Sequence, residues 1–120
     1  CVRFLGYVED LNDIFQQSHA SIIPSRQESF GLSFMESALR GVPIIYSDVD
    51  ALSENAGSYD VLKFKCGDHV SCAESIIYMI NNYDSQLQVA DSFRIYYQSM
   101  QADSNEHSYN FLFNNQLCVD

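Results

Sequence analysis

Residues 22–36 read Ile22-Ile23-Pro24-Ser25-Arg26-Gln27-Glu28-Ser29-Phe30-Gly31-Leu32-Ser33-Phe34-Met35-Glu36. An apolar strand ends at Pro24, a short polar loop follows, and a helix begins near Gly31. The first amides of that helix have no intrahelical partners. In an open α/β sheet they open at the carboxyl edge of the strands, where ligands bind. The N–H groups of Phe30, Gly31 and Leu32 would face an anion there, with the helix dipole adding ~0.3–2 kcal/mol. Gly31 leaves room for a phosphate or sugar to approach the backbone without meeting a Cβ.

On either side of this turn, short apolar strands alternate with helical segments, which predicts an α/β, Rossmann-like, mainly parallel sheet with helices on both faces. Strands are expected at Val2 to Tyr7, Ala20 to Ile23, Pro43 to Tyr46 and Val61 to Phe64. Their centres lie far enough apart for one crossover helix each. Leu11 to His19 reads as a helix capped by Asp10 or Asn12. A second runs from Phe30 to Arg40, with Gly41 as a left-handed C-terminal cap and Pro43 preventing continuation. A third, Val70 to Asn82, places Cys72, Ile76, Met79, Ile80 and Tyr83 on one core-facing stripe. Beyond Tyr83 the strand signal stops. Leu87 to Met100 and Tyr109 to Leu117 read as two helices joined by the polar stretch Gln101 to Ser108. Residues 1–82 are thus expected to form a partial ligand-binding domain and residues 83–120 a helical tail.

The 120 residues carry 16 acidic and 6 basic side chains, a formal charge of −10, and 47% are hydrophobic. A charge of this sign repels phosphate backbones and anionic lipid surfaces, so neither nucleic acid nor a membrane surface is an expected partner. No apolar run approaches the length of a spanning helix. Cys1, Cys66, Cys72 and Cys118 form no CxxC pair and read as reduced thiols of a cytoplasmic protein. His19, His69 and His107 fall in no ligand-spaced arrangement, so no metal site is expected. The opening Val2-Arg3-Phe4-Leu5-Gly6-Tyr7-Val8 has no leader character, and the chain is expected to belong to a longer gene product.

Two carboxylates bracket the turn. Glu28 and Glu36 are eight positions apart, roughly 12 Å along a helix, too far for an acid–base pair on one bond. That span suits two ends of an extended ligand. A carboxylate accepts two hydroxyl hydrogen bonds at once and so grips the vicinal diol of a ribose or hexose. Carboxylate, amides, carboxylate therefore traces sugar, phosphate, ribose, the outline of a nucleotide sugar. The plainer alternative is equally open on these residues alone. On a helical wheel Glu36 falls beside Ser29, Ser33, Ser37 and Arg40, opposite Phe30, Phe34 and Ala38, as a solvated residue would. Glu28 has an ordinary reading too, as a surface residue facing the helix dipole.

The segment Glu28-Ser29-Phe30-Gly31-Leu32-Ser33-Phe34-Met35-Glu36-Ser37-Ala38, followed by Gly41-Val42-Pro43-Ile44-Ile45, resembles the E-x7-E region of retaining group 1 glycosyltransferases, which have two facing Rossmann-like domains (the GT-B type). Phe4-Leu5-Gly6-Tyr7-Val8, Ile23-Pro24-Ser25, Ser53-Glu54-Asn55-Ala56-Gly57 and Gly67-Asp68 resemble further family motifs in the same order. The similarity covers residues 1 to about 82 and extends only loosely into the tail. It implies that the chain is part of a C-terminal donor-binding domain. Glu28 would be the catalytic position, holding hydroxyls of the donor hexose. Ser29 and the amides of Phe30, Gly31 and Leu32 would meet the sugar or diphosphate, and Glu36 the ribose. Gly6, Tyr7 and Val8 would lie near the base. The resemblance further implies hexose transfer from a UDP or GDP donor, with retention of configuration, in polysaccharide biosynthesis. It implies no cofactor and no bound metal. The acceptor, a carbohydrate or a lipid-linked sugar, would be held by an N-terminal domain outside this chain, and any contact with a membrane would likewise come from outside it.

One departure stands out. Family members supply an Arg and a Lys from earlier strands to neutralise the diphosphate, and the six basic residues here offer no such pair; Arg26 is in the right loop at a variable position. A non-catalytic nucleotide-sugar-binding or interaction module of the same fold is therefore the main alternative. A flavodoxin-like receiver domain is disfavoured because Asp48, Asp50, Lys63 and Lys65 are not arranged for phosphoryl acceptance. A phosphorylase or sugar-nucleotide epimerase of similar architecture would carry its distinguishing groups elsewhere.

Overall fold

The computed structural model describes residues 2–103. Its elements run α1 (Asn12–Gln17), β1 (Ser21–Ile23), α2 (Leu32–Leu39), β2 (Ile44–Ser47), α3 (Asp50–Ala56), β3 (Leu62–Phe64), α4 (His69–Asn81) and α5 (Tyr83–Asp103). The three strands form a parallel sheet in the order β1-β2-β3, with Ser21 opposite Ile44 and Ile45 opposite Leu62. Parallel neighbours need crossovers, and α2 and α3 supply them.

The central strand explains the two layers. All four residues of β2 are buried, and alternate side chains leave opposite faces of the sheet. Ile44 and Tyr46 enter a core with Ile23, Phe34 and Leu39, whereas Ile45 enters a second with Phe64 and Met79. Helices α2, α3 and α5 cover the first face and α4 the second. This is a small α/β fold consistent with a partial Rossmann-like domain. Phe34 of α2 and Phe93 of α5 are fully buried edge-to-face at 5.8 Å, and burying each ring is worth about 1.5–3 kcal/mol.

Local signals set the helix ends. Gly41 has φ 67°, the left-handed conformation in which its amide and that of Val42 return to the carbonyls of Ala38 and Ser37. Asp68 caps α4 by accepting the amides of Val70 and Ser71 at 3.0 and 3.1 Å. Asp10 accepts the amide of Asn12 at the start of α1. No helix among the described residues is long and apolar enough to cross a membrane.

Several expectations change. Val2 to Tyr7 is no strand: the described chain gives it no ladder partner, and Phe4 and Tyr7 stay 95% and 93% exposed. A strand exists only when a neighbour pairs its backbone. Helix α3 is an addition, because Asp50–Ala56 buries only Leu52 and Ala56 and shows too little periodicity to announce itself. Ile80 is 70% exposed while Met79 is buried, so the core stripe of α4 runs through Cys72, Ile76 and Met79. In α2, Ser37 is buried and Phe30 just before the helix is 55% exposed, the reverse of the wheel. The Ser37 hydroxyl is satisfied by Ser21 Oγ at 2.9 Å and the Ser33 carbonyl at 2.8 Å, which removes the penalty for burying it. Helix α5 starts at Tyr83, with only Asn82 between it and the end of α4. Tyr109 to Leu117 lies outside the described residues.

Candidate functional site

The turn between β1 and α2 is built around one carboxylate. Glu28 Oε1 accepts the backbone N–H of Ser29 at 3.1 Å and of Phe30 at 3.4 Å, and Ser25 Oγ donates to Oε2 at 3.5 Å. The backbone N–H groups of Gly31, Phe30 and Ser29 near this carboxylate, with the Ser25 hydroxyl, hold its pKa below the ordinary glutamate value. Of the amides that the sequence assigns to an anion, Phe30 donates to the Glu28 carboxylate, and Ser29, one position earlier, joins it.

Gly31 begins α2 in the left-handed region, with φ 71°, and no side chain caps the helix. A Cβ here would lie 2.8 Å from both Asn55 Nδ2 and Leu52 Cδ2. The missing side chain therefore makes room for α3. Glu36 sits in the second turn of α2, half-buried. One turn later Arg40 ties α2 to α1: its guanidinium donates to the Glu36 carbonyl at 3.1 Å and to Asn12 Oδ1 at 3.0 Å, and stacks over Phe15.

The loop is also fastened from residues the sequence reading did not single out. Ser47, fully buried at the end of β2, donates to the Ser25 carbonyl at 2.5 Å. Asn55 of α3 donates from Nδ2 to the Phe30 carbonyl at 2.9 Å, and its own carbonyl accepts the Tyr97 hydroxyl of α5 at 3.3 Å. These partners lie 22 to 42 positions apart, beyond any local pattern. After β3, the Cys66 amide donates to Asp48 Oδ1 at 2.7 Å and its thiol to the Ser25 carbonyl at 3.7 Å. The loops that follow all three strands therefore meet at the carboxyl edge of the sheet.

Other expected residues stay apart. Tyr7 is almost wholly solvent-exposed and a Cβ on Gly6 would meet nothing within 4 Å, so neither is packed onto the turn, while Val8 is half-buried. Arg26 lines an open cleft of about 350 Å³ with Phe64, Asp68, His69, Cys72 and Ile76, beside the start of α4. Cys66 and Cys72 are free and half-buried. Among the described residues no group of three His, Cys, Asp or Glu is placed to share a metal ion.

Residues 1–82 match the family described as glycosyl transferases group 1. The O-antigen chain mannosyltransferase B of Escherichia coli is 40% identical over 58 residues, 47% of this chain and 15% of that protein. The O-antigen biosynthesis glycosyltransferase WclY of Escherichia coli is 27% identical over 121 aligned positions, 97% of this chain and 33% of that protein. The D-rhamnosyltransferase WbpZ of Pseudomonas aeruginosa is 42% identical over 52 residues, 40% of this chain and 14% of that protein. The chain spans a third or less of the length of these relatives. With the family match covering most of the chain and a fold to suit it, the chain belongs to the group 1 glycosyltransferases.

Proposed function

We infer that this chain supplies part of the donor site of a longer retaining glycosyltransferase. That enzyme moves a hexose from a nucleoside-diphosphate sugar to a carbohydrate or lipid-linked acceptor in polysaccharide synthesis. The observation that carries this reading is the set of backbone amides closing on the Glu28 carboxylate at the carboxyl edge of the sheet. Donors already aimed at one anion need no reorganisation to hold another. The relatives named for mannosyl and rhamnosyl transfer support a hexose-type donor.

In this reading a donor phosphate or sugar oxygen takes the amides of Phe30, Gly31 and Leu32. The Glu28 carboxylate turns outward to the hexose hydroxyls, and Glu36 accepts those of the ribose. Attack comes from the face the diphosphate leaves, so configuration is retained and no side chain of this chain forms a bond to the sugar. Gly6, Tyr7 and Val8 approach the base only once the missing part of the domain positions them. The reaction is placed in the cytoplasm, where nucleotide sugars and reduced thiols coexist.

The two carboxylates separate experimentally. In the full-length enzyme Glu36→Gln weakens nucleotide and nucleotide sugar alike, whereas Glu28→Gln spares the free nucleotide and penalises the conjugate. Each lost charged hydrogen-bond pair costs about 1.5–3 kcal/mol, read by calorimetry with both ligands. Equal losses for the free nucleotide in both variants would refute these roles. The isolated chain binds without turning over, because leaving-group cations and an acceptor site lie outside it. Sugar transfer by the purified chain clearly above background would contradict that.

A further inference from the structure

We propose that Ser47 is a positioning residue for the Glu28 turn: its buried hydroxyl, at the end of β2, fixes Ser25 so that the Ser25 hydroxyl can hold the Glu28 carboxylate. The β1–β2 ladder runs as far as the pair Ile23 and Tyr46, and Pro24, which has no N–H, cannot extend it. The next residue of β2 is Ser47, fully buried in the central strand. A hydroxyl buried there has to find an acceptor. It has the carbonyls of Ile23 at 3.3 Å and of Ser25 at 2.5 Å, and its one proton goes to the nearer. The side chain thus adds a link from β2 to the chain just past the point where the ladder stops.

The same Ser25 carbonyl takes the Cys66 thiol at 3.7 Å. A carbonyl oxygen has two lone pairs, so the end of β2 and the loop after β3 each occupy one. Ser25 in turn donates from Oγ to Glu28 Oε2, while the amides of Ser29 and Phe30 donate to Oε1. The carboxylate therefore joins the start of the loop to its end, with one oxygen for each. The Ser25 contact, at 3.5 Å, stands at the long end of hydrogen-bonding distance, where a small displacement of Ser25 removes it. Ser47 acts on Glu28 through that sensitivity. What the grip does for a donor sugar rests on the donor-site reading above, but the fixing of Ser25 does not.

The test is a pH titration of the uniformly labelled chain by NMR, reading the Glu28 carboxyl carbon in the wild type, Ser25→Ala, Ser47→Ala and the double variant. Besides partial desolvation, the influences on Glu28 are backbone N–H groups and the Ser25 hydroxyl, with no charged side chain among them, so the midpoint reports those donors. In the wild type it lies below the ordinary glutamate range. It rises in Ser25→Ala and in Ser47→Ala, and in the double variant it rises no further than in Ser25→Ala, because two changes on one path do not add. The Asp68 carboxyl, held by the amides of Val70 and Ser71, keeps its wild-type midpoint throughout, which separates the effect from a general loosening of the fold. Where Ser47→Ala does not fold, Ser47→Cys, with a weaker donor at the same position, takes its place and gives a smaller rise. An unchanged Glu28 midpoint in the folded Ser47 variant, an Asp68 shift as large as that of Glu28, or single shifts that add in the double variant each overturn the proposal. No ligand enters this experiment, so its outcome is separate from that of the donor-site reading, which nucleotide-sugar binding decides.

Discussion

At the scale of single residues, Gly31 shows how a correct position carries more than one reason. Its place at the head of α2 was legible from the strand–loop–helix pattern, and its meaning there was access for a ligand. The structure adds the left-handed φ and the contact with Asn55 and Leu52. Gly31→Ala would lose about 1–2 kcal/mol to backbone strain alone, and the crowding against α3 adds to that. Chemical denaturation should show the midpoint falling accordingly; an unchanged midpoint would mean that the loop relaxes and that α3 is not tightly seated on it. Glu28 and Glu36 were visible from their spacing, but the inward pose of Glu28 was not, because it depends on which peptides turn toward it. Asn55 and Ser47 were hidden for a related reason: a hydrogen bond spanning more than twenty positions leaves no trace in local sequence.

At the scale of elements, what the sequence disclosed tracks how much of each element is decided locally. Helix α2 carries its own stop in Gly41 and Pro43, and α4 its own start in Asp68. Helix α3 carries neither a side-chain cap nor an apolar stripe and is made by what it packs against. Residues 2–8 have a strand's composition but find no neighbour to pair with among the described residues. Asp68 allows a quantitative reading of a cap. Hydrogen bonds from Ser71 and Val70, with Lys65 and His69 nearby, hold its pKa below the ordinary aspartate value. A carboxylate whose folded pKa is depressed stabilises the fold above its unfolded pKa, and that contribution is lost as pH falls through the folded value. Asp68→Ala should therefore lower Tm at neutral pH, with the gap to wild type closing as pH drops below the ordinary aspartate range. Asp68→Asn, which still caps but cannot titrate, should recover most of the neutral-pH loss. A gap that stays constant with pH would show that the carboxylate's charge plays no part.

At the scale of the whole molecule, the fold class followed from alternation of strand and helix, and the two-faced sheet confirms it through the opposite cores of β2. Less legible was the continuation of the chain past Tyr83 into a 21-residue helix whose Phe93 and Tyr97 complete the core over α2. Its weak amphipathicity hides the few positions that are buried. The net charge of −10 sets a bound on the isolated chain as a binder of diphosphates. Without imported cations its amides alone have to hold the anion, so affinity in about the millimolar range is the expectation, near 4 kcal/mol of binding free energy.

The central claim, that the β1–α2 turn is a nucleotide-sugar half-site, is tested most directly by titrating the labelled chain with nucleoside-diphosphate hexoses and following every backbone amide. Saturable shifts at Ser29, Phe30, Gly31 and Leu32, larger for the sugar conjugate than for the free nucleotide in the vicinity of Glu28, are the predicted result. Shifts confined to the cleft beside Arg26 and the start of α4, or none at tens of millimolar donor, would contradict it.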